Sequence, residues 1–580
     1  MRARVFSTLA VAALAACTST APPQPPTAAS PKASWSGLDQ GWTDQEKEAF
    51  WFTPQGSWLV PYRWFLELEE PGGTGRFRDD AHLERLGYLT AEASAANPDG
   101  LPIGFVKDRG RQDGHEMLGF TCAACHTSRI ELDGKAVQVE GGPTLSDFQA
   151  LLDDLVAALE ATTADQQQFQ RFAANVVGTT SGDKADALRR DVAGFTAKLA
   201  ERKKRNDPPH PYGRGRVDAL GNILNEVLVA DLGVAENQRP ADAPVSYPVM
   251  WDAHQQDFVQ WNGSAPNQGP GPLLRNIGEV LGVFGHMEFT PRRGRLPIYR
   301  NATPDVENLK KIEALVEKLE SPLWPDSFPA VDREKAEAGR SLFARECESC
   351  HPPVRRADPN RRIKVTMVAA AQVGTDPVAA DNFIGREART GVLKGTPVFV
   401  DPLQSFGDTA PAGFVLRNAV FGVQLGKFSW PLPHPHPIAI PSGGVGKLLE
   451  KDWLAFEQKL KDQKTAIETL VGKPPQLTTA MYKARPLNGV WASSPYLHNG
   501  SVPTLWELLK RPADRRKSFH VGTRKYDPVE VGFQDLPSDG AASYFRFDTS
   551  VRGNSNAGHP YGTQLEDDQK RQLVEYLKTL

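Results

Sequence analysis

Apolar residues recur at helical spacing in several stretches, and these set the expected framework. Phe148, Leu151, Leu152, Leu155 and Leu159 share one face of a helix over Phe148–Glu160. More helix is expected from Gln166 to Lys204. Its basic end, Glu201-Arg-Lys-Lys-Arg205, suits a helix C-terminus, and Asn206-Asp-Pro-Pro-His-Pro211 breaks it. Arg333–Arg345 reads as a helix with Gly339, Phe343 and Cys347 aligned on one side. Asp567–Leu580 closes the chain as an amphipathic helix carrying Leu573, Tyr576, Leu577 and Leu580 on one face. The small Gly339 would let these last two helices cross closely. The pattern is least ordinary over Gly213–Phe289, which holds an aromatic-polar cluster at Trp251–Trp261 and a charged one at Arg275–Glu279. Pro322, Pro325 and Pro329 mark a boundary, and the tryptophan-rich Trp35–Arg63 reads as an N-terminal arm.

At 580 residues the chain is too long for one core. Its 50 Gly and 47 Pro call for long shaped loops between the helices. A net charge of -3 gives no support for nucleic acid or an anionic membrane surface as partner. Met1–Ala16 has Arg2 and Arg4 ahead of the mostly apolar Val5–Leu14, too short a run to span a bilayer as a mature helix. It ends Leu14-Ala15-Ala16-Cys17, which resembles a bacterial lipobox. Residues 1–17 are therefore expected to be a lipoprotein signal with Cys17 as the lipidated first mature residue. Residues 18–34, rich in Pro, Ser, Thr and Ala, read as a disordered tether. The expected location is periplasmic or cell-surface, on the bacterial envelope, with membrane contact only through the lipid.

The chemistry lies in Cys122-Ala-Ala-Cys-His126 and Cys347-Glu-Ser-Cys-His351. C-x-x-C-H is the attachment signature of c-type haem. Two thiols bond the haem and the adjacent imidazole becomes the proximal iron ligand. A structural zinc site would want four closing ligands, and the fifth cysteine, Cys17, has another use. The expectation is two covalently bound haem c groups, one on Cys122, Cys125 and His126, the other on Cys347, Cys350 and His351. The expected fold is mainly α: two cytochrome c-like domains, 35–325 and 326–580, with long Gly/Pro-rich loops and the N-terminal arm.

A haem that does chemistry needs an open or displaceable site, whereas an electron carrier usually has two protein ligands. After His126 the next histidine is His210, with no methionine between them. The first haem thus lacks a sequence-near sixth ligand, although His82 and His115 precede it. For the second haem no methionine follows Met481, so His498, His520 and His559 are the candidates. His559 is favoured because the Gly-rich loop Gly553–Gly562 lets backbone pass close to a porphyrin; His498 is next. Pro431-Leu-Pro-His-Pro-His-Pro437 reads as a surface loop, since His434 and His436 diverge in an extended polyproline segment.

Pro495-Tyr-Leu-His-Asn-Gly-Ser501 followed by Val502-Pro-Thr-Leu505 resembles the bacterial di-haem cytochrome c peroxidase and MauG superfamily. The wide separation of the haem motifs, with Gly213-Arg-Gly-Arg-Val-Asp218 and Gly489-Val-Trp-Ala492, is more similar to the larger branch that includes the rubber oxygenase RoxA. The resemblance covers about residues 90 to 580. It implies that Trp261, in Trp261-Asn-Gly-Ser-Ala265, relays electrons between the haems, and that Glu279 lines the peroxide pocket. It also implies that His498 lies near the haem edge rather than on the iron. The chain departs from the peroxidases at Gly141-Gly142-Pro143, where they place a displaceable histidine, and at Pro512, near their methionine ligand. The first departure implies a permanently open first haem, and with the second it sets the chain apart from the reductive gating of ordinary di-haem peroxidases.

The function expected is that of an exported oxidoreductase. Its first haem would react with H2O2, its second, bis-His haem would relay electrons, and Glu279 would supply a proton as the O–O bond breaks. A small redox protein or quinol-linked donor is the expected partner. An oxygenase using O2 on an organic or polymer substrate, and a two-haem electron carrier, are the competing classes.

Overall fold

Two aspartate-glycine turns decide the surroundings of the first C-x-x-C-H run. Asp113 and Gly114 both take positive φ (51° and 84°), as do Asp133 and Gly134 (50° and 77°). That is the backbone of the tight two-residue hairpin turn. The first turn joins strands Phe105–Gln112 and His115–Phe120, and the second joins Thr127–Leu132 and Lys135–Glu140. Cys122–Ala124 is a short 3-10 turn between the two hairpins. Val60–Pro61 adds to the first hairpin, and Trp35–Gly37 pairs in parallel with Lys135–Glu140 in the second.

The structure is a computed structural model. It describes residues 35–580 apart from 73–74, 292–296, 357, 359, 400, 428–477 and 540–543. The expected signal with Cys17, the expected tether, and His434 and His436 lie outside the described residues. Among the described residues 38% are helical and 16% are in strands, which form small two- and three-stranded sheets. The mainly α expectation is therefore corrected to a mixed architecture, because several connecting segments satisfy their backbone groups by pairing with one another.

The helices serve as scaffold. Phe148–Ala164 starts at Asp147, whose carboxylate accepts the Ala150 N–H, and it buries Leu151, Leu152, Leu155 and Leu159. The stretch that follows is two helices, Gln166–Val177 and Asp183–Asn206, because Gly178 turns left-handed (φ 76°) and ends the first. Gly271–Gly282 carries Arg275 and Glu279 one turn apart and packs with Val306–Lys318 and Ala412–Lys427. Arg333–Glu346 crosses Asp567–Leu577 at Gly339, where a Cβ would stand 2.0 Å from the Gln572 carbonyl oxygen.

Trp35–Leu580 forms one compact unit. One core cluster contains Trp42 and Phe50 of the arm, Ile312 and Val316, and also Leu342, Phe343, Leu573 and Leu577. Trp491 is fully buried there. Its indole N–H donates to the Pro322 carbonyl (3.0 Å), and its own carbonyl accepts the Tyr526 hydroxyl (2.6 Å). Buried aromatics of this size contribute about 2–3 kcal/mol each. Among the described residues no helix is long and apolar enough to cross a membrane.

Candidate functional site

Each C-x-x-C-H motif presents its histidine in the same way. His126 Nδ1 lies 2.9 Å from the Pro248 carbonyl oxygen, and His351 Nδ1 lies 2.8 Å from the Arg485 carbonyl oxygen. A carbonyl only accepts, so Nδ1 carries the proton in both rings and Nε2 keeps its lone pair for a metal. Burial pushes His126 down to about 4 and His351 in the same direction, which keeps both rings neutral. Cys122, Cys125, Cys347 and Cys350 are free thiols. Burial pushes the Cys122 thiol up to about 11. These donors fit a covalently attached haem better than a redox dithiol, which needs a lowered thiol pKa.

The second motif opens on a cleft holding about 1440 Å³ of empty space, solvent at its mouth included. Cys347, Cys350, His351, Tyr482, His498 and His559 line it. The His351 and His559 rings stand 6.4 Å apart between centroids, at 54°. Two metal–imidazole bonds of about 2 Å, plus the distance from each nitrogen to its ring centre, account for that separation. His559 Nδ1 is buried without a hydrogen-bond partner. His498 lines the same cleft, but its ring stacks on Tyr482 (4.0 Å, 24°). His520 bonds Asp535 (2.9 Å) outside the cleft lining.

His559 sits on backbone that resists it. Its φ is 49°, directly after Gly558 at 76°, a region that costs a non-glycine residue about 1 kcal/mol or more. The His559 N–H donates to the Val373 carbonyl (2.9 Å). Arg515, 2% exposed, holds the loop from inside, donating to the carbonyls of Leu508, Lys510, Asn556, Gly558 and His559. Sequence reasoning missed Arg515, and nothing local in its neighbourhood signals the role.

The first motif has different company. No second histidine ring pairs with His126 among the described residues; its ring neighbour is Tyr247 (6.2 Å). His82 has both nitrogens engaged, Nδ1 with the Phe77 carbonyl (2.7 Å) and Nε2 with Asp154 (3.0 Å). His115 lies against Trp64. Glu279 stands close enough that its charge acts on both Cys122 and Cys125, and that of Arg275 acts on Cys122 and His126. Glu279 lines a mostly apolar pocket of about 800 Å³ of empty space, solvent at its mouth included, with Leu274, Phe383, Arg417, Val420 and Phe421. Burial raises its pKa, against the Gln260 amide that donates to it and the nearby Arg275.

Gln260 and Trp261 join the two regions. While Gln260 holds Glu279, Trp261 lines the cleft of the second motif, its indole N–H donating to the Ser246 carbonyl (2.9 Å). Ser246–Pro248, a segment that sequence reasoning also missed, reaches both sides. Ser246 N–H donates to the His498 carbonyl (2.8 Å), Tyr247 lies on His126, and Pro248 supports that same imidazole.

A family described as RoxA-like, cytochrome c-like matches residues 481–520. That segment starts on the strand Met481–Ala484 at the wall of the second cleft and runs through His498. The uncharacterised protein y4iJ of Sinorhizobium fredii (strain NBRC 101917 / NGR234) is 31% identical, over 95% of this chain and 93% of its own length. A second uncharacterised protein of that strain, y4iM, is 35% identical over 63% of this chain and 78% of its own.

Proposed function

We propose that this chain, which belongs to the family of y4iJ and carries a RoxA-like, cytochrome c-like segment that implies a haem oxidoreductase with covalently bound haem c, is an exported two-haem peroxidase. Cys122, Cys125 and His126 would hold one haem, and H2O2 would react there. Cys347, Cys350, His351 and His559 would hold the other. Bound haem c supplies the redox chemistry of peroxide reduction, H2O2 + 2 H⁺ + 2 e⁻ giving two waters.

The observation that carries this reading is Glu279. A carboxyl whose pKa is raised by burial keeps its proton nearer to neutral pH, and Gln260 fixes where it points. Peroxide needs such a proton on the departing oxygen. Trp261 and Ser246–Pro248 fill the protein between the two histidine sites and are the path for electrons delivered at the His351 side. The donor is a small redox protein or a quinol-linked carrier. The leader-like first residues support export and anchoring through Cys17, which places the reaction in the periplasm or at the cell surface.

A second reading, an oxygenase acting on an organic substrate, is favoured by the apolar lining of the Glu279 pocket and by the RoxA-like match. Rapid mixing of reduced holoprotein with H2O2 separates the two. The peroxidase reading requires two electrons consumed per peroxide and steady turnover with an added donor. Labelled O2 incorporated into an apolar substrate, without peroxide turnover, would contradict it.

A further inference from the structure

Two cations line the second cleft, and the acids that line it and its side pocket, Glu346 and Asp252, pair with Arg345 and Arg361 instead. Lys483 and Arg485 are two residues apart at the end of an extended run, a spacing that sends side chains to the same face. Both line the cleft that holds Cys347, Cys350 and His351, and both line a smaller adjoining pocket with Trp261. Lys483 Nζ donates to the Gln256 amide oxygen (2.6 Å), and Arg485 donates to the Ser493 hydroxyl (2.6 Å), both neutral partners. The Arg485 guanidinium lies 5.7 Å from the Trp261 ring centre. Among the described residues neither cation has a carboxylate within ion-pair distance. Asp257 acts on Lys483 only at longer range, and its Oδ1 is taken by the backbone N–H groups of Phe258 and Val365. Burial, with the like charge of Arg485, pushes Lys483 down to about 7.

Bringing two like charges together in a low-dielectric wall is unfavourable unless an anion joins them. We propose that Lys483 and Arg485 form a carboxylate-binding pair that takes a propionate of the haem held by Cys347 and Cys350. The pair thereby fixes the rotation of that haem beside Trp261 and tunes its potential. This rests on the assignment of a haem to that motif. The Arg485 carbonyl supports the His351 imidazole, so one residue would couple that ligand and the propionate.

The oxidised iron carries one more positive charge than the reduced one. Removing a cation from the propionate therefore favours the oxidised form. In full-length holoprotein, Lys483→Met should shift the oxidised-to-reduced ratio of the His351 haem roughly tenfold at fixed ambient potential, ~59 mV for a one-electron couple. Lys483→Arg should restore it, and Arg485→Gln should shift it in the same direction as Lys483→Met. Adding acetate to wild type should change nothing, because the site is already filled. Unchanged potentials in both charge-removing variants would overturn the proposal. A saturable acetate-dependent shift in wild type would also overturn it, by showing that the pair binds a free carboxylate. Absence of haem mass on the Cys347–Cys350 peptide would overturn the underlying assignment, and that outcome is read separately from the potentials.

Discussion

His351 and His559 face each other across one cleft at 6.4 Å between ring centroids, while His498, in the same cleft, is stacked on Tyr482. This pairing supports the preference for His559 over His498 that the loop chemistry suggested. It calls for His559→Gly to convert a low-spin haem to high-spin. His498→Gly should leave it low-spin and shift only potential or stability. Absorbance and magnetic resonance spectra of the two variants check this, and a high-spin His498 variant beside an unchanged His559 variant would reverse the assignment.

Arg515 holds the 556–559 backbone through carbonyl oxygens alone. Arg515→Gln keeps a donor but loses the fork, leaving several buried carbonyls unpaired. A loss of about 2–4 kcal/mol is expected. The spectroscopic consequence is a mixed-spin second haem whose low-spin fraction grows on cooling. Denaturant unfolding and variable-temperature spectra measure the two effects separately.

Glu279 has a raised pKa, so its folded value lies above its unfolded one. The stability it contributes is present at low pH and is lost as pH rises from the ordinary carboxylate range through the raised value. Glu279→Gln should remove that loss. The same variant should slow peroxide reduction by about 10²–10⁴ and abolish the alkaline fall in rate that deprotonation causes. Both haem spectra should stay nearly intact.

Gly339 is the contact point of the Arg333–Glu346 and Asp567–Leu577 helices, against the Gln572 carbonyl. Gly339→Val should force them apart at a cost of about 3 kcal/mol or more, read by thermal unfolding. An exposed control on the same helix, Glu337→Ala, should cost well under 1 kcal/mol.

The haem motifs, the helix at Phe148 and the crossing at Gly339 were legible because each is local or periodic. The hairpins around Cys122–His126 were missed, although Asp113-Gly114 and Asp133-Gly134 are dipeptides typical of tight hairpin turns. Their strands hid the alternation that usually accompanies such turns: half of Phe105–Gln112 is charged, and Lys135–Glu140 is buried on both faces after its first residue. Arg515, Lys483 and Ser246–Pro248 could not be read from sequence, since their roles come from partners far along the chain. A buried arginine bonded to five carbonyls has the same sequence signature as a surface arginine.

The most direct measurement is electron paramagnetic resonance of the oxidised, haem-loaded protein, followed by CO binding to the reduced form. Two haems per chain should appear, one high-spin that binds CO at the His126 site and one low-spin that ignores it at the His351–His559 site. Two low-spin haems, both indifferent to CO and peroxide, would contradict the open first site and leave an electron carrier in its place.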